Sequence, residues 1–249
     1  MRKLLMMLTL LFLVLPVACA KTSQVTDTDD ANNNQFVIKK NQKKWQSKIA
    51  KADIVHSEFK VTKQPVSRTL DNLKNHNQVV IKGTVNNLEK MHSPKGMVYT
   101  KATVCVDRVL SGDDSLVNKK IFLALEGGLV SFDHWYGEKR NGDREMLIKN
   151  DEFLLPEIGS QIITGLIPHN LDEPLEYNQA LRESGFTSQN SFAINTPQYN
   201  FWVKNPKDSK YQLNNPKLRN GEDNLVKSLQ KLTNEINQKY NTTQKGQNH

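Results

Sequence analysis

The stretch from Met97 to Gly112, MVYTKATVCVDRVLSG, constrains this chain more than any other. Val98, Thr100, Ala102, Val104 and Val106 share one face, while Tyr99, Lys101, Thr103, Cys105 and Asp107 share the other. Alternation with a period of two over this length predicts a long strand with one face in a core. Partners flank it on both sides. From Gln78, QVVIKGTVNNLEK places Val79, Ile81 and Val85 on one face and Lys82, Thr84 and Asn86 on the other. Gly83 in mid-strand marks a bulge or sharp bend. His92 to Gly96 reads as a turn. Lys120 to Glu126 (KIFLALE) is a third strand, closed by Gly127 and Gly128. Gln161 to Ile167 is another, and Phe201–Val203 and Tyr211–Leu213 are short ones. Short strands with glycine-marked bends predict a mainly β (α+β) fold. The expected form is a small antiparallel OB-like barrel with peripheral helices and a C-terminal amphipathic helix.

Helical pieces are fewer. Thr69 to Lys74 is a short helix with Ser67 as its N-cap and Leu70 and Leu73 inward. Asp172 to Glu183 is an inserted helix, capped by Asp172, with Pro174 in its first turn and Gly185 after its end. From Glu222 to Tyr240, the residues Leu225, Leu229, Leu232, Ile236 and Tyr240 form one apolar stripe that packs on its own domain. Trp45 to Val61 has near-helical spacing without deciding between helix and strand.

The first twenty residues, MRKLLMMLTLLFLVLPVACA, read as an export signal. Arg2 and Lys3 form a basic start, and Leu4 to Leu15 is an apolar run of twelve residues. A spanning helix needs roughly 20 apolar residues, so the run has the length of a signal core. Pro16 then breaks the helix and small residues follow. Cys19 after Ala18 resembles the lipobox of bacterial lipoproteins, which implies a diacylglyceryl group on that sulfur. The position three before the cysteine, usually leucine in that pattern, is Pro16, with Leu15 one further back. The rival reading is an A-x-A site, Ala18-Cys19-Ala20, with cleavage before Lys21. Two acyl chains hold a protein on a membrane surface, where one gives only marginal binding; the A-x-A product is secreted.

The expected organisation is a signal peptide at 1–20, a flexible tether at 21–44, one barrel domain with helical additions at 45–240, and a disordered tail at 241–249. The tether reading rests on the polar run through Asn32, Asn33 and Asn34, which offers few apolar groups to offset ordering entropy.

The chain of 249 residues carries a formal net charge of +8. Losing Arg2 and Lys3 with the signal lowers Lys and Arg from 34 to 32 against 26 acids, a net +6. Much of this excess sits in Lys39, Lys40, Lys43, Lys44, Lys48 and Lys51, with no acid between them. Near an anchored Cys19 these lysines point to anionic lipid head groups or wall polyanions as partners rather than to nucleic acid.

The segments VVIKGTVNNLEK, VYTKATVCVDRVLSG, KIFLALEGG and LLPEIGSQIITGL resemble a group of small exported barrel proteins of Gram-positive bacteria. The resemblance runs from about Val79 to Leu166. Its shared motifs are turns and strand faces, so it implies fold and export, and no reaction.

Signatures of catalysis are sparse. Two cysteines exclude a disulfide framework and a multi-cysteine zinc site. The sequence has no HExxH, no G-x-S-x-G and no P-loop. No cofactor is expected. Cys105 reads as an outward-facing spare thiol. Asp107, Arg108 and Glu126 have residue types found in OB-fold nucleases, without their order or spacing. Asp151, Glu152, Glu173 and Glu176 are the acids available for glycoside cleavage, which needs two across one cleft. The most distinctive cluster is Asp133, His134, Trp135 and Tyr136, with Glu138, Asp143 and Glu145 nearby. It is a candidate ligand loop, its aromatics stacking on a sugar or base while Asp133 and His134 bind a proton or metal. The expectation is a cell-surface protein acting as a non-catalytic binding or envelope accessory module. The alternative is an envelope hydrolase working through Asp133 and His134. Convergence of those two residues with another acid in a polar cleft favours the hydrolase, and a loop lying on the barrel favours the module.

Overall fold

The computed structural model describes residues 27–57, 66–137 and 144–241, with side chains from residue 34 onward. The signal segment, Cys19, residues 21–26, Glu138, Asp143 and the tail beyond 241 lie outside the described residues.

The elements in chain order are α1 (Asp27–Ile49), β1 (Asp53–Ser57), α2 (Leu70–Asn75), β2 (Val79–Lys90), β3 (Tyr99–Ser111), β4 (Lys120–Glu126), β5 (Gly128–Ser131), α3 (Phe132–Tyr136), β6 (Glu145–Asn150), β7 (Gln161–Pro168), α4 (Glu176–Glu183), β8 (Ser191–Ile194), β9 (Phe201–Lys204), β10 (Gln212–Leu213) and α5 (Asn224–Tyr240). Strand β2 pairs antiparallel with β3, and β3 with β4. Strand β7 joins β2 on its other side, and β8 pairs with both β7 and β4, closing the ring. The barrel therefore has five strands in the order β2-β3-β4-β8-β7, which is the OB connectivity. It is mixed rather than wholly antiparallel, because β8 runs parallel to β4.

Its interior is the alternating face read from the sequence. Thr100, Ala102, Val104 and Val106 are fully buried, as are Ile81, Val85 and Ile121. Gly83 is a bend for a steric reason. The β2–β3 register shifts between Lys82 and Gly83. A Cβ there would stand 2.7 Å from the Cys105 carbonyl oxygen.

Two helices cover the outer face of β2, β7 and β9. Leu229, Leu232 and Ile236 of α5 pack with Leu70 and Leu73 of α2 on Val80, Ile163 and Trp202. Asn237 fixes the register of α5 by accepting from the Tyr211 N–H and donating to the Tyr211 carbonyl, both at 2.8 Å. The cap of α2 is Thr69, whose Oγ1 accepts from the Asn72 N–H, and not Ser67, which is fully buried. Helix α4 starts at Glu176, four residues later than expected, with no side-chain cap from Leu175. A separate small sheet, β1-β6-β5, lies beside the barrel.

Two expectations are corrected. Residues 27–49 form α1 where a tether was expected up to residue 44. Lysine and glutamine are fair helix formers, and Ile38, Gln42, Trp45 and Ile49 repeat every three or four residues as one inward stripe. Trp45 is buried in the barrel's core cluster, and Asn41 and Gln42 donate to the carbonyls of Asn86 (3.0 Å) and Ile158 (2.6 Å). Cys105 is also not an exposed spare thiol. It is buried and disulfide-bonded.

Candidate functional site

The segment 131–137 is built locally. The Ser131 side chain accepts from the His134 N–H and starts α3, and Gly137 ends it in the left-handed conformation with φ 70°. Trp135 is half-buried against Val98, Val130, Met146 and Ile148. The Phe132 and Tyr136 rings lie 4.4 Å apart, centroid to centroid. His134 Nε2 donates to the Pro94 carbonyl at 3.1 Å, and because a carbonyl only accepts, Nε2 carries the proton. His134 is thus committed to holding the 92–96 turn. Glu145 is engaged elsewhere, accepting from Lys90 Nζ at 2.6 Å. The four residues share one short helix laid on the small sheet, with Tyr136 half exposed.

The other acids are held by separate partners. Asp151 meets His56 Nδ1 at 2.8 Å, and Glu152 meets Lys217 Nζ at 3.0 Å. Glu173 accepts from Asn170 at 3.3 Å. Asp107 accepts from Thr84 Oγ1 at 2.8 Å. Glu126 is the cross-strand partner of Tyr99, eight positions along β3 from Asp107, or roughly 25 Å of strand. Among the described residues no three His, Cys, Asp or Glu side chains come together as metal ligands.

A polar cluster that sequence reasoning missed lies on the outer face of β3 and β4. The connection between β7 and β8 folds back over this face and carries α4. Tyr177 packs on Tyr99 with ring centroids 5.1 Å apart, and Phe186 packs on Phe122 at 5.6 Å. Lys101 Nζ donates to the Ser184 carbonyl at 2.7 Å and sits 3.8 Å from the Phe122 ring centroid. Burial pushes the Lys101 ammonium down, against the pull of Glu89. Burial pushes the Glu126 carboxyl up, opposed by the Asn150 side chain. Burial and then Glu126 raise Tyr99, and burial, Tyr99 and Glu126 raise Tyr177. Burial alone lowers His169, whose Nδ1 lies 2.8 Å from Ser191 Oγ. Glu126 Oε2 and Asn150 Nδ2 are buried near one another without a hydrogen bond of good geometry. This is a desolvated network covered by the chain's own α4 connection. The period-two pattern exposed Tyr99 and Lys101 as one face. What covers them depends on a contact some 80 residues away along the chain, which no local spacing reveals.

A cleft of about 340 Å³ opens between α1 and residues 147–158. Trp45, Ile49, Leu147, Phe153 and Leu155 make it mostly apolar, with Gln46 and Glu157 among its polar lining residues. Along the outward side of α1, Lys39, Lys40, Lys43, Lys44 and Lys48 are exposed, as is Lys51 just beyond it. None of the six is ion-paired among the described residues. No helix among the described residues is long and apolar enough to cross a membrane. Comparison with protein-family models, with curated proteins and with solved structures finds no match for this chain.

Proposed function

We propose that this is an exported protein of the Gram-positive barrel group, lipidated on Cys19 and held on the extracellular face of the cell membrane. There its OB-like barrel is a non-catalytic binding or envelope accessory module. The observation that carries this reading is α1. A helix with exposed, unpaired lysines follows the anchor position and is fixed to the barrel core through Trp45. The barrel is therefore presented in one orientation next to an anionic surface. The setting of Asp133 and His134 supports a module over a hydrolase, since among the described residues no two further acids or histidines gather with either of them and His134 holds the 92–96 turn. The apolar cleft beside α1 is the place for a small apolar ligand group, its volume falling within the range of small-molecule sites.

Lipidation commits the Cys19 sulfur to a thioether. In a chain with two cysteines, a thioether on Cys19 and an intramolecular disulfide at Cys105 exclude each other. Intact-mass and N-terminal peptide analysis of membrane-extracted protein tests the reading, because a diacylglyceryl thioether and a disulfide at Cys19 have different masses.

A further inference from the structure

We infer that the outward side of α1 is a bilayer-contact face for anionic lipid, with Phe36 entering the boundary between head groups and acyl chains. This rests on the reading that Cys19 places α1 beside a membrane. Phe36 is 67% exposed and Val37 40% exposed, whereas Ile38, Trp45 and Ile49 turn inward. Phe36 is the most exposed large apolar side chain among the described residues. Its helical neighbours at i+3, i+4 and i+7 are Lys39, Lys40 and Lys43, with Lys44 one residue beyond. The aromatic ring thus stands at the N-terminal end of the cationic stripe, on the same side of the helix. From Phe36 to Ala52 there is no acid to offset it.

The chemistry selects a bilayer over other anionic partners. Lysines beside a bilayer are drawn to anionic head groups, and an exposed aromatic ring gains by leaving water for the acyl boundary. The stripe contains no arginine, the side chain suited to bidentate recognition of a discrete phosphate. A soluble polyanion would use the lysines and leave Phe36 idle.

The test uses the processed chain carrying Cys19→Ser, so that no acyl chain contributes. It is sedimented with phosphatidylcholine vesicles with and without phosphatidylglycerol, at low and high salt. Retention on the phosphatidylglycerol vesicles alone is expected, lost at high salt. Phe36→Ser is expected to lower partitioning about tenfold, and each lysine-to-glutamine change about fivefold. Phe36→Trp is expected to shift its indole emission to the blue on phosphatidylglycerol vesicles. Both substitutions sit on an exposed position, and helix content by circular dichroism confirms that folding is unchanged. No retention on phosphatidylglycerol, or retention indifferent to Phe36→Ser, overturns the inference. Binding to soluble polyphosphate without binding to vesicles also overturns it. Failure here leaves lipidation of Cys19 to be read independently from the mass of the native protein.

Discussion

Lys101 on β3 ties down a segment more than eighty residues away. Its ammonium donates to the Ser184 carbonyl at 2.7 Å just past the end of α4, and the same group lies over the Phe122 ring. One side chain links the barrel wall to the connection that covers it. Lys101→Ala removes a charged hydrogen bond and a cation–π contact. An expected loss of about 1–2 kcal/mol follows from their combined worth at a half-exposed site. Limited proteolysis would then cut between residues 169 and 190 faster than in the parent. Unchanged cleavage there, with unchanged denaturant midpoint, would mean that α4 holds the face without this contact.

The bend in β2 depends on the absence of a side chain. At Gly83 a Cβ would stand 2.7 Å from the Cys105 carbonyl oxygen and 2.8 Å from Val104 Cγ1, so backbone as well as side chain must move. Gly83→Ala is expected to cost about 1–3 kcal/mol as an overpacking change. Chemical denaturation at equilibrium reads this directly. Gly128 makes the same point more severely. It combines φ 115° with a Cβ position only 1.8 Å from Thr100 Oγ1, and Gly128→Ala is expected to prevent correct closure after β4.

Trp45 fastens α1. Truncating a buried tryptophan typically costs about 3–5 kcal/mol. Trp45→Ala is expected to release α1 as well as destabilise the core, seen as faster hydrogen exchange across 34–49. Loss of global stability with α1 exchange unchanged would mean that Ile38, Ile49, Asn41 and Gln42 hold the helix without Trp45.

Acid should weaken the fold through His169. Burial lowers its pKa below the ordinary 6.5, so the native state keeps the ring neutral while the unfolded chain takes up a proton. Stability then rises with pH wherever the unfolded state binds more protons. As pH falls through 6.5 toward the lower native value, stability is lost, and below that value this penalty is constant. Glu126 acts with the opposite sign. Its raised pKa means that the folded state holds a proton longer than the unfolded chain, so its contribution diminishes as pH climbs above the ordinary 4.5. Urea midpoints measured between pH 5 and 7.5 (from about 1.5 units below to about one unit above the unperturbed histidine value) carry both contributions, and His169→Gln should remove the part that falls toward acid. A slope unchanged by that substitution assigns the effect to other groups.

The barrel was legible because its strands carry their own evidence. Lys120–Glu126 alternates visibly, and β3 fills its inner face with Val and Ala. Strand β8 was not legible. Ser191–Ile194 is four residues long, and its role is to pair with β4 and β7 at once, a relation defined only across the folded ring. The short β1, β5 and β6 have the same character, each owing its strand form to a neighbour in the small sheet. Helix α1 was hidden by composition. Its polar residues outnumber the inward ones, and the stripe through Ile38, Trp45 and Ile49 has meaning only against a barrel surface that accepts it. At the candidate site, Asp133 to Tyr136 stood out by residue type, and their fold roles come from the Ser131 cap and the Pro94 carbonyl. The Tyr99–Glu126–Tyr177 network was invisible because α4 arrives from a distant part of the chain.

The measurement that bears most directly on the account is the mass of the mature N-terminal peptide, taken from protein extracted from membranes of an expressing bacterium. A peptide beginning at Cys19 and carrying a diacylglyceryl group on sulfur is the expected result. A peptide beginning with a free amine at Lys21, or Cys19 retained and linked by a disulfide, would contradict it.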